Sequence, residues 1–401
     1  MNRRALGLHW DVEPGLVFLN HGSFGLAPRE LLQWRSGLLS EIERDPVAYL
    51  VDRLPHELAA ARRCLAQFVG ADERQLAFVP STTYGLNELM QRLELLVDDL
   101  PAGSEILMLD HGYNATHNLV RFAAEQRGWL LRFVPLPLPL LAADQLVEVV
   151  SQAWTAATRV LLVDHITSPS AIVMPLKELI RLARSREAVV IVDGAHGPGS
   201  LPLQLERLQP DAYVGNLHKW LCCPRGSAFL WVNPLWRDRL RPLVISHGAN
   251  ALISNDSSRF ELEHNWIGTA DPTPWLALPE VMRLLGSTPE SLLAPLMQSN
   301  HRLAQIGQDL LLDALDGTRL APPQCQGAMA AVMLPPIGLL NGALLQRCLL
   351  ENGFQVPIIP RQPQVEGAEQ FLRISCFAYN SMMDIVRLAE ILPSLIASSL
   401  I

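Results

Sequence analysis

Six short apolar runs constrain this chain more than anything else in it: QLAFVPS, EILMLDH, RVLLVDHI, AVVIVDGAH, DAYVGN and SAFLWVN, all between residues 75 and 233. Each is rich in β-branched or leucine side chains and too short for a buried helix, so each is predicted as a strand covered on both faces. Between most of them lie stretches with helical period, such as YGLNELMQRLELLVDDL and MPLKELIRLARSRE. That alternation predicts a largely parallel sheet with helices packed on it. In such sheets ligands gather beyond the carboxyl ends of the strands. The polar tails PSTT, DHGYN, DHITSPS, DGAHGPG and GNLHK all fall there, so five strand ends are expected to meet at one site.

Past RFELEHNWIGTADPTPW the texture changes to a long helical stretch, SNHRLAQIGQDLLLDAL, and then a mixed closing region, LLQRCLLENGFQVPIIP followed by FLRIS. At 401 residues the chain has room for two packed units. The expected organisation is an N-terminal segment over 1–20, a large α/β domain over 21–270 and a smaller α+β domain over 271–401, with the boundary falling within 265–290.

Composition removes several function classes. A formal net charge of −8 and the absence of any Lys/Arg-rich run argue against a nucleic-acid binder and for a small-molecule partner. The most apolar stretch, LLRFVPLPLPLLAA, carries prolines at Pro135, Pro137 and Pro139 and is too short to span a bilayer. Asp11 and Glu13 interrupt the N-terminus before a secretory apolar run forms. The six cysteines show no CxxC pair, which predicts reduced thiols in a cytoplasm and no zinc site.

The chemistry concentrates in NLHKWLCCPRG. Lys219, between His218 and Trp220 at a strand end, sits where burial favours the neutral amine, the form that attacks a carbonyl. Asp193 ends an apolar strand, where a carboxylate needs a positive partner. A protonated pyridine nitrogen fits that need, as in pyridoxal 5'-phosphate (PLP), whose ring absorbs electrons from a carbanion. Ser81, Thr82 and Thr83 precede a helical run and offer hydroxyls and backbone donors to a phosphate.

With these residues in this order, the chain resembles the class V aminotransferase group of fold-type I PLP enzymes, and within it most closely the isopenicillin N epimerases. The landmarks run over nearly the whole chain: FLNHGSFG, VPSTTYGLN, LDHGYNATHN, DHITSPSAIVMP, VDGAHGPG, GNLHKWLCCPRGSAFL, IGTADPTPWLALP and QVPIIP with LRISCFAYN. The resemblance implies that Lys219 forms the Schiff base with the cofactor, that Asp193 holds the pyridine nitrogen and that His196 approaches the phenolic oxygen. It assigns Thr82, Thr83, Asn216 and His218 to the phosphate, with Asn216 standing where relatives often have serine. His111 would stack on the ring, with Tyr113 as the alternative. It further implies a homodimer in which Thr269 reaches the neighbouring subunit's phosphate, and it matches Arg373 to a carboxylate-binding arginine.

Within that group the reaction stays open on sequence. An epimerase acting at the α-carbon of an amino acid or small peptide is the leading expectation, with Lys219 as the base. A carbon–sulfur lyase, of the hercynylcysteine sulfoxide or cysteine kind, is the alternative, and a non-catalytic PLP-binding protein the remote one. Candidates for a second acid are Tyr113, His21 and His165, chosen by strand-end or loop position. A cysteine desulfurase mechanism is disfavoured because VPIIPRQPQVEGAEQFLR, ahead of Arg373, holds no cysteine.

Overall fold

The computed structural model describes residues 6–98, 100–253, 258–335, 341–361 and 368–399. Its strands are β1 (Val17–Phe18), β2 (Leu76–Val79), β3 (Glu105–Leu109), β4 (Leu130–Val134), β5 (Thr158–Asp164), β6 (Val189–Asp193), β7 (Ala212–Asn216), β8 (Ala228–Val232), β9 (Met329–Met333), β10 (Phe354–Gln355), β11 (Ile358–Pro360) and β12 (Gln370–Ser375). All six predicted runs are strands, and they share one seven-stranded sheet of order β2-β8-β7-β6-β5-β3-β4.

The seventh member, β4, did not stand out in sequence. It pairs with β3 alone at the sheet edge and is half-exposed, so LLRFV lacks the continuous burial that marks its neighbours. The sheet is parallel except at β8, which runs antiparallel to both β2 and β7. Two reversals restore the direction of β2, and this brings PSTT to the same edge as the tails of β3, β5, β6 and β7.

Both faces of the sheet are buried. Val189, Ile191, Val160 and Leu162 pack with Leu86, Leu89 and Val120 on one side, while Val190, Val192, Leu161 and Val163 pack with Leu179, Ile180 and Ala183 on the other. Burial of this kind contributes roughly 25 cal/mol per Å² of apolar surface. The helices begin where the sequence supplies caps: Ser81 Oγ accepts from Tyr84 N at 3.1 Å to start Thr82–Gln91.

A second, antiparallel sheet of order β11-β12-β9 lies against the helices Ala294–Leu315 and Met382–Ser398 and has its own core, including Val332, Leu372, Ile374, Ile385 and Leu388. Val17 and Leu19 belong to that core too. The N-terminal strand β1 pairs in parallel with β10, and Asn20 forms a bridge to Ser375. Among the described residues no helix is long and apolar enough to cross a membrane.

Candidate active site

The five predicted strand ends do meet. One cavity is lined by Ser81, Thr82 and Thr83 after β2, Tyr113 after β3, Asp164 at the end of β5 and Ser168 beyond it, Asp193 at the end of β6 and His196 beyond it, and Asn216 at the end of β7 with His218 and Lys219 beyond it. Ala195, with Ser23 and Phe24 from the short helix His21–Phe24, completes the wall.

Lys219 keeps partial accessibility through this cavity, and its Nζ lies 3.1 Å from His196 Nε2. Burial of the amine, reinforced by the positive Arg373 nearby, pushes its pKa down to about 7, while Asp193 and Asp164 pull the other way. The same burial keeps His196 neutral, and its Nδ1 has no hydrogen-bond partner within the chain.

Asp193 accepts from Thr116 Oγ1 at 2.9 Å and from the backbone N–H of Ala195 at 3.1 Å. Burial raises its pKa, and those two donors together with the charge of Lys219 oppose the rise. At the other end of the cavity Asn216 Oδ1 accepts the N–H of Thr82 at 3.0 Å, fixing the start of the helix Thr82–Gln91 against β7. Thr82 Oγ1 is buried and has no partner within the chain. His218 donates its Nδ1–H to the Ser227 carbonyl at 3.0 Å, and burial lowers its pKa to about 4.

The turn carrying Lys219 is braced from behind. His21 is fully buried and stacked on Phe377, with ring centroids 3.9 Å apart. Its Nε2–H donates to the Lys219 carbonyl at 3.0 Å, and its Nδ1 faces the Tyr379 hydroxyl at 2.8 Å. Burial takes its pKa to about 3. Gly25, at φ +68°, lies so close that a Cβ there would come within 2.1 Å of the His218 carbonyl oxygen and 2.7 Å of that of Lys219.

Several residues singled out in sequence lie off the cavity wall. His21, a candidate second acid, faces the back of the lysine turn, with both ring nitrogens engaged. His165 is buried with Nδ1 2.9 Å from the Tyr213 hydroxyl. Of the three candidate acids only Tyr113, about half-exposed, lines the cavity. His111 is fully buried with Nδ1 2.8 Å from Ser170 Oγ, so at the end of β3 it is Tyr113 that borders the space. Arg373 stands behind Ser23 and Ser168: its guanidinium donates to the Ser168 carbonyl at 2.6 Å and to Ser23 Oγ at 3.2 Å, and its Nε has no partner within the chain. Thr269 is exposed and away from the cavity of its own chain.

Sequence reading passed over Asp164, Ser168, Ser23 and Thr116. Asp164 carried a usable signal, since VLLVDH ends an apolar strand in aspartate just as VVIVDG does. The helix position of Thr116 carried none.

Strand order, the reversed β8 and a lysine on the turn after β7 place the molecule in the fold-type I class of α/β enzymes. The chain belongs to the class V aminotransferase family, whose sequence model (Aminotransferase class-V) it matches over residues 43–388. It is 32% identical to an isopenicillin N epimerase of Streptomyces clavuligerus over 96% of both chains. It is 26% identical to a probable chloroplastic L-cysteine desulfhydrase of Arabidopsis thaliana, over 96% of this chain and 84% of the relative. Among solved structures it is similar to a lysine-to-alanine mutant of C-DES with glycine covalently linked to the PLP cofactor, at a TM-score of 0.76 and 21% identity over 94% of this chain and 96% of that one.

Membership of this family makes the protein an enzyme with PLP as its cofactor, and the cavity suits that group. The Thr82 hydroxyl, without a partner within the chain at a helix N-terminus, would suit a phosphate. Asp193 would suit a ring cation, and the Lys219 amine, with His196 Nε2 3.1 Å away, would stand beside it.

Proposed function

We propose that this enzyme removes and returns the α-proton of an amino acid or small peptide, as an isopenicillin N epimerase-like isomerase. The observation that carries this reading is the Lys219 amine, held near neutrality at a pKa of about 7 and opening onto a cavity that also presents Asp193. Bound PLP supplies the electron sink for the charge left on the α-carbon. In this reading Asp193 holds the ring nitrogen, Thr82, Thr83, Asn216 and His218 hold the phosphate, and Lys219 holds and moves the proton.

Arg373 grips the substrate carboxylate with a fork already oriented by Ser168 and Ser23. Tyr113, at the cavity border with a free edge to solvent, is the best placed of the candidate acids to return a proton from another direction. For the ring face, His111 is the residue the resemblance assigns, and Tyr113, which borders the cavity, is the alternative. Thr269, exposed in one subunit, is assigned to the phosphate of a partner subunit in a cytoplasmic homodimer. Mixing inactive Lys219→Ala and Thr269→Ala parents restores activity if sites are shared; no recovery after verified subunit exchange overturns the sharing.

The reaction itself is tested in deuterated water. Epimerisation washes deuterium into the α-position with inversion and releases neither keto acid nor ammonia. A carbon–sulfur lyase is the second reading, favoured by the similarity to the L-cysteine desulfhydrase along nearly the whole chain. It gives pyruvate and ammonia from cysteine conjugates or their sulfoxides, and that result without α-inversion of any substrate overturns the first reading. A desulfurase route stays disfavoured because the segment ahead of Arg373 holds no cysteine; residues 362–367 of that segment lie outside the described residues.

A further inference from the structure

Asp164 ends β5 as Asp193 ends β6, and the two are direct partners in the parallel register. Paired residues of neighbouring strands point to the same face about 5 Å apart, here the face that carries Leu162 and Ile191. Both carboxyls are nearly inaccessible, at 5% and 3% exposure, and both line the cavity.

Their surroundings differ. Asp193 is held by the Thr116 hydroxyl and the Ala195 N–H, while Asp164 has backbone N–H groups, those of Tyr113 and of Asp164 itself. From the other elements, the groups facing Asp164 are Lys219 on the turn after β7 and His117 on the helix Asn114–Arg127. Gly112 marks the second approach: a Cβ there would sit 2.5 Å from His117 Nε2 and 3.2 Å from Asp164 Oδ2. His117 supplies no charge, since its Nε2–H donates to the Leu109 carbonyl at 3.0 Å and burial keeps the ring neutral. His196 and His165 are neutral for the same reason. The positive charge of Arg373 is felt at Lys219 and is engaged with Ser168 and Ser23.

Two carboxylates at strand spacing in a desolvated site cannot both ionise cheaply, and the better-solvated member takes the charge. Asp193, which has the Thr116 hydroxyl in addition to a backbone N–H, is that member. Burial and the neighbouring Asp193 raise the pKa of Asp164 well above the ordinary carboxyl range. We infer that Asp164 is a second carboxyl of the cofactor site, one that holds a proton beside Asp193 and so keeps Asp193 ionised for the ring nitrogen of PLP. The inference rests on the assignment of Asp193 to that nitrogen. It makes Asp164 a positioning residue: neutral, it sets the charge on its neighbour and leaves the site one negative charge poorer than the sequence suggests.

The test compares wild type with Asp164→Asn and Asp193→Asn by two measurements. Infrared difference spectra of the apo-protein at neutral pH should show the carbonyl stretch of a protonated carboxyl in wild type, and Asp164→Asn should remove it. In Asp193→Asn the signal should titrate at lower pH, because the repelling neighbour is gone. The visible absorption band of the PLP-loaded protein at neutral pH should survive in Asp164→Asn, since the amide mimics a neutral acid, and weaken or shift in Asp193→Asn. The inference is overturned if wild type lacks the infrared signal, if Asp164→Asn retains it, or if Asp164→Asn loses the visible band as Asp193→Asn does. A visible band unchanged in Asp193→Asn would instead overturn the assignment of Asp193, and is read separately.

Discussion

Lys219 and the vicinal pair Cys222 and Cys223 occupy one turn and respond to burial in opposite chemical directions. All three are desolvated. For the amine this favours the neutral form and brings the pKa down to about 7; for the thiols it also favours the neutral form, which means pushing their pKa values up. A neutral amine is a nucleophile and a base, whereas a neutral thiol is nearly neither. Exposure widens the contrast, because Lys219 opens on the cavity while Cys222 and Cys223 are sealed among Leu221, Trp220 and the rest of the core. One physical cause therefore arms one side of the turn and silences the other.

The largest effect that would break this comparison is on activity. Lys219→Ala should lower the rate by about 10²- to 10⁴-fold or more, the scale of losing a positioned base, and should abolish the borohydride-trapped label on this residue in peptide maps. A label on a different lysine would remove Lys219 from the argument. Next in size is Arg373→Ala. Stranding a substrate carboxylate without its charged partner should weaken substrate binding by about 2–5 kcal/mol while the protein keeps its bound cofactor; loss of the cofactor's colour would mean that Arg373 holds the fold together.

The pH dependence sharpens the contrast further. The folded pKa of Lys219 is depressed, so below about 7 the amine is protonated and unreactive, and above it the amine is free. Covalent attachment of added PLP to the apo-protein should therefore accelerate as pH rises through about 7, measured by the growth of its visible absorption. Arg373→Ala removes a nearby positive charge and should move that midpoint to higher pH. An unshifted midpoint would leave desolvation as the whole cause.

The smallest effect belongs to the thiols. Cys222→Ala should cost about 1–2 kcal/mol of stability, as a small buried truncation does, and change the rate far less than Lys219→Ala. Native protein should resist thiol reagents at Cys222 and Cys223, and rapid modification at either would contradict the sealed core.

Much of this is legible in the sequence. Apolar strands that end in charged or hydroxyl residues announce both the sheet and its functional edge, because only a site makes such endings affordable; Asp193, Lys219 and Thr82 are of that kind. What the sequence hid is what depends on approach from elsewhere in the chain. Strand β4 was obscured because an edge strand is half wet. The cap that Thr116 gives Asp193 comes from a helix position with no periodic signature. His21 reads as a polar loop residue ahead of a glycine, yet it is fully buried behind Lys219, a placement set by Phe377 and Tyr379, more than 350 residues further along.

The stretch from Asn20 to Gly25 acts as a spacer between β12 and the turn that carries Lys219. At one end Asn20 bridges to Ser375, two residues from Arg373 on β12; at the other, Gly25 lies so close to the turn that a Cβ there would come within 2.7 Å of the Lys219 carbonyl oxygen. Six residues of backbone thereby connect the neighbourhood of Arg373 to that of Lys219. Inserting a single residue there would shift the strand that carries Arg373 relative to the turn that carries Lys219.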